Sequence, residues 1–463
     1  MPSHKAARLR LVALGAAVAA YAAAIAVVGT FSLELVQGGD YGAYRPAVLT
    51  PWLLLSALPV LIVSPLIAAV ARTAWPRVVL LFSTVAALLI VGWGYVTPGA
   101  PWLSVAGVAS LPAAVFGATV LALLPVAAAA ARWRLPSVLT GIAFALLGGF
   151  LLGFVLGIGG SGGGQPPLGG HYAVVLLALA GFAGLGVQFP VSEPSSLAGG
   201  WVRPYLSGIR DALRHRRARN GLFGLWLWGF FAIATVVALA RLVGDSGHPA
   251  PAGGLQREAE PPETPAVAKT VWLAVGVLGG VVLAGVRRHP YRHAWLIPGA
   301  ATLGLVGILW LRFGEAWRGP LIAIGLALGA SFTPLVNAYL TWTTPRHHGA
   351  AAGVLVAGWC GIAVALAAIL WAFGGDPTAA RASLLNLLIV VGGIAAIGAW
   401  LAFLRPAVEG TAEIIVRIMY RVRAFGPDVE KLPVRGPVLV IGNHAAWLDP
   451  LWLAQILPGP ITP

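Results

Sequence analysis

The sequence predicts an all-α polytopic membrane protein with twelve transmembrane helices in two six-helix halves. Three observations predict it. Of the 463 residues, 59% are hydrophobic and only 10% are charged, where a soluble domain carries about 25% charged residues. Apolar stretches approaching the ~20 residues needed to cross a bilayer recur twelve times. The basic residues between them alternate from heavy to light, loop by loop, as the positive-inside rule requires.

The twelve segments fall at roughly 11–36, 51–71, 78–97, 102–131, 136–159, 171–189, 221–243, 268–286, 294–312, 319–342, 350–373 and 384–404. Their internal Gly and Pro are ordinary for membrane helices, because neighbouring helices satisfy the freed backbone groups. The first segment has a basic start, Lys5, Arg8 and Arg10, like a signal peptide. Many spans follow without a convincing cleavage site, so it reads as a retained helix. The organisation is then 1–189 for the first half, 190–220 for a basic central loop and 221–405 for the second half. An amphipathic surface helix over 406–425 and a short final region over 426–463 follow.

Placing the N-terminus inside puts twenty-three Lys and Arg inside and seven outside. An odd number of spans would spoil this pattern. The expected location is therefore a bacterial-type inner membrane, with both termini cytoplasmic. The formal net charge of +15 would suggest nucleic acid in a soluble protein. Here the charge sits in short loops, so topology explains it and no nucleic-acid partner is expected. Cys360 is the single cysteine, which excludes an intramolecular disulfide and argues against thiol metal chemistry. No tightly bound cofactor and no metal are expected.

The longest inside loop, Pro190 to Asn220, contains RDALRHRRARN and divides the spans six and six. It is expected to lie on anionic headgroups. The outside loop Gly244–Ala268 carries Glu258, Glu260 and Glu263 among prolines and reads as a flexible connector. Gly157–Gly170 is glycine-rich, but no helix-opening GK[ST] follows, so it is a linker and not a phosphate loop. A faint repeat relates FGATVLALLP, ending at Pro125, to PLVNAYLTWTTP, ending at Pro345. A basic cluster follows each proline, and the two prolines lie 220 residues apart.

The 6+6 layout with its central basic loop resembles the major facilitator superfamily. Ala114–Pro125, Arg134–Gly141 and Pro334–Gly349 are similar to motifs of its lysophospholipid-transporter branch. That resemblance implies a facilitator-like fold and a lysophospholipid cargo. The acidic turn usual between helices two and three of facilitators is replaced by SPLIAAVARTAWPRVV, Ser64 to Val79, with Arg72 where an Asp is expected. This weakens the expectation of ion-coupled transport. Two polar residues in the spans are candidates for substrate contact. Glu34 is an acid near the outer end of the first helix, with an interfacial role beside Gln37 and Asp40 as the alternative. Asn337, like Gln188 and Asn386, serves equally as a helix–helix hydrogen-bonding group.

After Arg405 the texture changes. Ile414, Ile415, Ile418 and Met419, with Arg417, Arg421 and Arg423 beside them, suit a helix at the membrane surface or an ordinary amphipathic core helix. The run Val438–Ile441 reads as a buried strand leading to His444, and Asp449 follows five residues later at the start of a helix. His is the natural general base near neutral pH, and a carboxylate can hold its tautomer and stabilise the imidazolium. Gly426, Leu432-Pro433, Gly436-Pro437, Asn443-His444, Asp449 and Leu453 resemble the start of the glycerolipid acyltransferase family, with Ala446 where a Ser is usual. The resemblance implies that His444 and Asp449 are the catalytic pair. The base would deprotonate a lysophospholipid hydroxyl, which attacks an acyl thioester on coenzyme A or acyl carrier protein.

That resemblance covers only about residues 424–461, and the family's later phosphate-holding FPEGTRS-like block does not occur. A lone strand and helix cannot bury a core of their own. The chain is therefore expected to be incomplete and inactive as an enzyme. The combined expectation is a transporter fused to the start of an acyltransferase, with membrane lipid and lysophospholipid as partners. The alternatives are a transporter with a vestigial tail, or an acyltransferase anchored by the helices.

Overall fold

The computed structural model describes residues 4–38, 45–71, 75–97, 102–159, 169–189, 202–242, 266–285, 292–314, 317–344, 347–372 and 377–419. All regular structure among them is helical. The first six helices are α1 (His4–Gly38), α2 (Arg45–Val70), α3 (Pro76–Val96), α4 (Trp102–Ala131), α5 (Leu135–Gly159) and α6 (Gly169–Leu185). A short α7 (Val202–Arg214) precedes the second six: α8 (Arg216–Leu242), α9 (Ala266–Gly285), α10 (Leu296–Phe313), α11 (Arg318–Thr341), α12 (His348–Ala372) and α13 (Pro377–Met419). A 3-10 turn, Arg292–Trp295, leads into α10.

Ten of these helices are long and apolar enough to cross a membrane among the described residues; α6 and α9 are apolar but shorter there. Each of the twelve apolar segments read from the sequence coincides with one helix. Two features differ from the sequence expectation. The central loop contains α7, and α8 begins at Arg216 instead of near residue 221. The last span and the expected surface helix run together as α13, bent at Phe403, whose φ and ψ are −122° and 19°. Pro406 gives the cause of the bend. It has no N–H for the carbonyl of Ala402, and its ring crowds that carbonyl, so the backbone departs from helical geometry within the same turn.

Helix ends follow local chemistry. Pro76 opens α3 at a position where a missing N–H costs nothing. At the end of α4, Arg132 takes φ 55°. Its N–H donates to Ala129 O at 3.2 Å, and the Trp133 N–H donates to Ala128 O at 3.0 Å. That pair of bonds is a Schellman closure, here with an arginine in the left-handed position usually held by glycine.

The packing repeats. In the first six helices, α2 packs on α4, α3 on α4 and α6, and α1 on α4, α5 and α6. Moving six spans along, with α7 set aside, gives α9 on α11, α10 on α11 and α13, and α8 on α11, α12 and α13, and each of these pairs is also packed. Contacts between the two sets obey the same rule, since α2 meets α12 and α5 meets α9. The packing repeats after six helices, but the faint sequence repeat is a different one. Its proline markers do not correspond, because α4 runs past Pro125 to Ala131 whereas α11 ends at Thr341, before Pro345.

Small residues set the closest approaches. Gly149 and Gly153 of α5 lie against the backbone of Ala19 and Ala23 of α1. Gly276 and Gly280 of α9 face Gly325 and Gly329 of α11. In lipid, helices gain little from burying apolar surface, so close backbone packing of small-xxx-small stripes supplies the association.

Candidate functional site

At the end of the bundle carrying α7, the two sets of helices are joined. One buried core runs from Ala7, Leu11 and Leu14 of α1 through Val138 and Leu139 of α5 to Leu222, Val336 and Tyr339 of the second set. Ala68 of α2 sits beneath Gly353 of α12, where an added Cβ would lie 2.5 Å from the Ala68 Cβ. A Cβ on Gly285 of α9 would stand 2.9 Å from Thr140 Cγ2 of α5.

Helix α7 lies across this junction. Its Gly208 and Ala212 are buried, while Arg203, Arg210 and Arg214 are exposed. Gly208 rests against Ala350 of α12, and the Tyr205 hydroxyl lies 3.4 Å from the Ser64 hydroxyl of α2. α7 therefore touches both sets of helices.

Asp211 fixes the far side of α7. Its carboxylate accepts from the Thr344 main-chain N–H at 3.1 Å and from the Thr344 hydroxyl. His347 Nδ1 stands 3.2 Å from the same oxygen, and His215 Nε2 stands 3.8 Å from the other. Burial alone would push the carboxyl upward, but the two Thr344 hydrogen bonds and His347 outweigh it and hold Asp211 below the ordinary carboxylate value. Sequence reading missed this cluster. The one usable signal was that Asp211 is the only acid between Pro194 and Asn220, in a stretch full of arginine.

Above the junction the interior is apolar. Tyr21 of α1 stacks on Phe116 of α4 with ring centroids 4.2 Å apart. In the second set, Trp228 packs against Phe332 and Trp359, and the two indoles donate to Leu328 O at 2.9 Å and to Leu225 O at 2.7 Å. Among the described residues no Asp, Glu, Lys or Arg is buried; the buried polar groups are hydroxyls, Asn337 and His348.

A cavity of about 310 Å³ opens between α8, α10, α11 and α13. It runs from Asn220 to Phe231 along α8 and from Ile297 to Ile308 along α10. On the returning helices it runs from Ile324 to Leu335 of α11 and from Gly392 to Phe403 of α13.

Of the residues singled out from the sequence, Asn337 is 4% exposed in α11, and its Oδ1 accepts from Thr341 of the same helix at 3.2 Å. Asn386 links two helices, its Oδ1 accepting from Arg312 Nε at 3.4 Å. Gln188 uses its main-chain oxygen to accept from Arg10 at 2.6 Å. Glu34 lies on α1, four residues before its end, with its side chain outside the described set. His444 and Asp449 lie outside the described residues.

No family model matches the sequence, and no curated protein matches it. Solved structures do match the fold. The human organic anion transporter MFSD10 (TETRAN) superposes with a TM-score of 0.60 at 14% identity, covering 85% of this chain and all of that one. The major facilitator superfamily transporter FucP, in its outward conformation, gives 0.59 at 10% identity over 85% of this chain and 99% of its own. The proton:xylose symporter XylE gives 0.58 at 14% identity over 86% and 96%. The described helices, packed alike in two sets of six and joined by α2–α12 and α5–α9, thus share the fold of these transporter structures.

Proposed function

We propose that this protein is a facilitator-type inner-membrane transporter of lysophospholipid, with twelve spans and both termini in the cytoplasm. The observation that carries the reading is the interior. Among the described residues its buried polar groups are hydroxyls, one amide and one imidazole, and its walls are aromatic and aliphatic. Charged groups within spans ordinarily mark ion and proton pathways. A lining without them suits an amphiphile whose chain travels among apolar side chains. The two halves, 1–189 and 221–405, would rock about the α2–α12 and α5–α9 contacts, and α7 would close the cytoplasmic side.

The C-terminal region extends this reading. His444 and Asp449 act as base and orienting acid of an acyltransferase that re-acylates delivered lysolipid from a coenzyme A or acyl carrier protein thioester. Tethering enzyme to transporter raises the effective substrate concentration. The second reading makes the helices an anchor alone. The full facilitator-like packing, with contacts between halves on both sides, favours transport.

The test is movement of fluorescent lysophospholipids of several headgroups across proteoliposomes holding the purified chain. Protein-dependent movement of at least one headgroup is expected. Movement no faster than in protein-free vesicles would sink the transport reading. Labelled acyl donor added to the same vesicles tests the enzyme: product formation abolished by His444→Ala supports the acyltransferase reading, and product that survives His444→Ala would overturn it.

A further inference from the structure

We infer that the cavity between α8, α10, α11 and α13 binds the chain of a single-chain lipid whose anionic headgroup lies against the arginines at the start of α8. The inference rests on the lysolipid reading for its ligand class. It adds a place, inside the second six helices and away from the seam between halves.

Depth and width set the chain. Eleven residues separate the ends of the lining on each of the four helices, which is about 16 Å at 1.5 Å per residue. That is about half of a ~30 Å hydrocarbon core, so the cavity has the depth of one leaflet. Dividing 310 Å³ by that depth leaves about 19 Å², a width of roughly 5 Å. A passage of that width takes a methylene chain lengthwise, since carbon–carbon contacts lie near 3.5–4.0 Å.

The polarity is one-ended. The Ser331 hydroxyl donates to Ala327 O at 2.7 Å, and the Trp228 indole donates to Leu328 O at 2.9 Å. Both polar groups are therefore turned into helix backbone. Asn220 is the polar residue at the end of the lining where α8 begins. The lining of α8 follows one stripe through Asn220, Phe223, Gly224, Leu227, Trp228 and Phe231. One turn earlier on that stripe stand Arg216 and Arg217. Arg217 is held 4.5 Å over the Trp342 ring, while Arg216 and Arg219 are exposed beside that end of the lining. Arg405, two residues beyond the lining of α13, pairs with Glu409 at 2.8 Å. The surplus positive charge is thus on α8, where it complements a phosphate or carboxylate at headgroup depth.

The wall is also stripped for a guest. Gly398 lines the cavity, and a Cβ there would meet nothing within 4 Å. Ile394, on the same helix, also lines the cavity and is 65% exposed, which leaves that wall open to a chain.

The test uses the full chain in detergent and four probes with a photoactivatable chain: a lysophosphatidate, a free fatty acid, an uncharged monoacylglycerol and a diacyl phosphatidate. The two anionic single-chain probes should label the cavity segments of α8, α10 and α13 at least ten-fold more than the other two. Stronger labelling by lysophosphatidate assigns the headgroup to phosphate, and by fatty acid to carboxylate; either supports the site. Gly398→Trp should abolish labelling, and Arg216→Ala with Arg219→Ala should bring the anionic probes towards the monoacylglycerol. If Gly398→Trp does not fold, the native chain still decides. Affinity should rise about four-fold per methylene until the chain fills the depth, near 13 carbons at roughly 1.25 Å each, and then level off. Labelling that survives Gly398→Trp, equal labelling by monoacylglycerol, or affinity climbing steadily past 18 carbons overturns the site. Labelling without lysolipid movement removes the transport reading and leaves the site; movement without labelling of these walls removes the site and leaves the transport reading.

Discussion

The carboxylate of Asp211 on α7 accepts the main-chain N–H of Thr344 at 3.1 Å, 133 residues further along the chain. It thereby satisfies a backbone donor just beyond the end of α11, and it ties the segment between the two six-helix sets to the second of them. Asp211→Ala leaves that donor without its partner, while the His347 imidazole keeps the Thr344 and Ser207 hydroxyls. A cost of about 1–3 kcal/mol is expected for a hydrogen-bonded charged group. It should read as a lower unfolding midpoint of the detergent-solubilised protein, with Asp211→Asn intermediate.

The same carboxylate gives a pH dependence. Its value in the fold is held below the ordinary one by Thr344 and His347 against the opposing effect of burial. A depressed carboxylate stabilises the fold above its unfolded value, and the stabilisation is lost as pH falls through the folded value. The difference in stability between the native protein and Asp211→Asn should stay constant from neutral pH down to the ordinary carboxylate range. It should shrink below that range. A difference that disappears well above it would contradict the assignment.

Helix contact in the first six helices depends on missing side chains. Gly149 and Gly153 leave room for the backbone of α1, whereas a Cβ on Gly148, on the same helix, meets nothing within 4 Å. Gly153→Leu should abolish a monodisperse peak in size-exclusion chromatography, while Gly148→Ala should elute as the native protein does. Equal behaviour of the two would mean that α1 and α5 do not pack as described.

The junction between the two sets predicts a crosslink. In a Cys360→Ser background, cysteines at Thr140 and Gly285 stand within disulfide reach, because a Cβ added at Gly285 would lie 2.9 Å from Thr140 Cγ2. Oxidation should join α5 to α9 and stop lysolipid movement in proteoliposomes. Reduction should restore it. Transport that continues with the bond formed would show that this end does not open.

Orientation is checked in the same cysteine-free background. A cysteine at Arg210 should be protected from an impermeant maleimide in intact cells, and one at Glu258 should react. The reverse pattern would invert the topology drawn from the distribution of arginines.

The sequence made most of the helices legible because ten of those described are long and apolar enough to declare themselves without knowledge of their neighbours. What it hid were features set by partners far along the chain. Asp211 reads as one acid in a basic loop until α7 folds and brings it to Thr344. Pro406 looked like the boundary of a separate surface helix, but the packing of Gly410 against Trp295 keeps α13 in place beyond its bend. The cavity was equally invisible, since no motif announces the absence of a side chain at Gly398.

At 43 residues, α13 is about 64 Å long, roughly twice the thickness of the hydrocarbon core. Its last turns are clamped to the turn that leads into α10. Even with its bend at Phe403, such a helix is a lever. If the second six helices tilted by about 10°, the ends of a helix near that length would travel roughly 5 Å. The end of α13 at Met419 would then be displaced by a comparable distance.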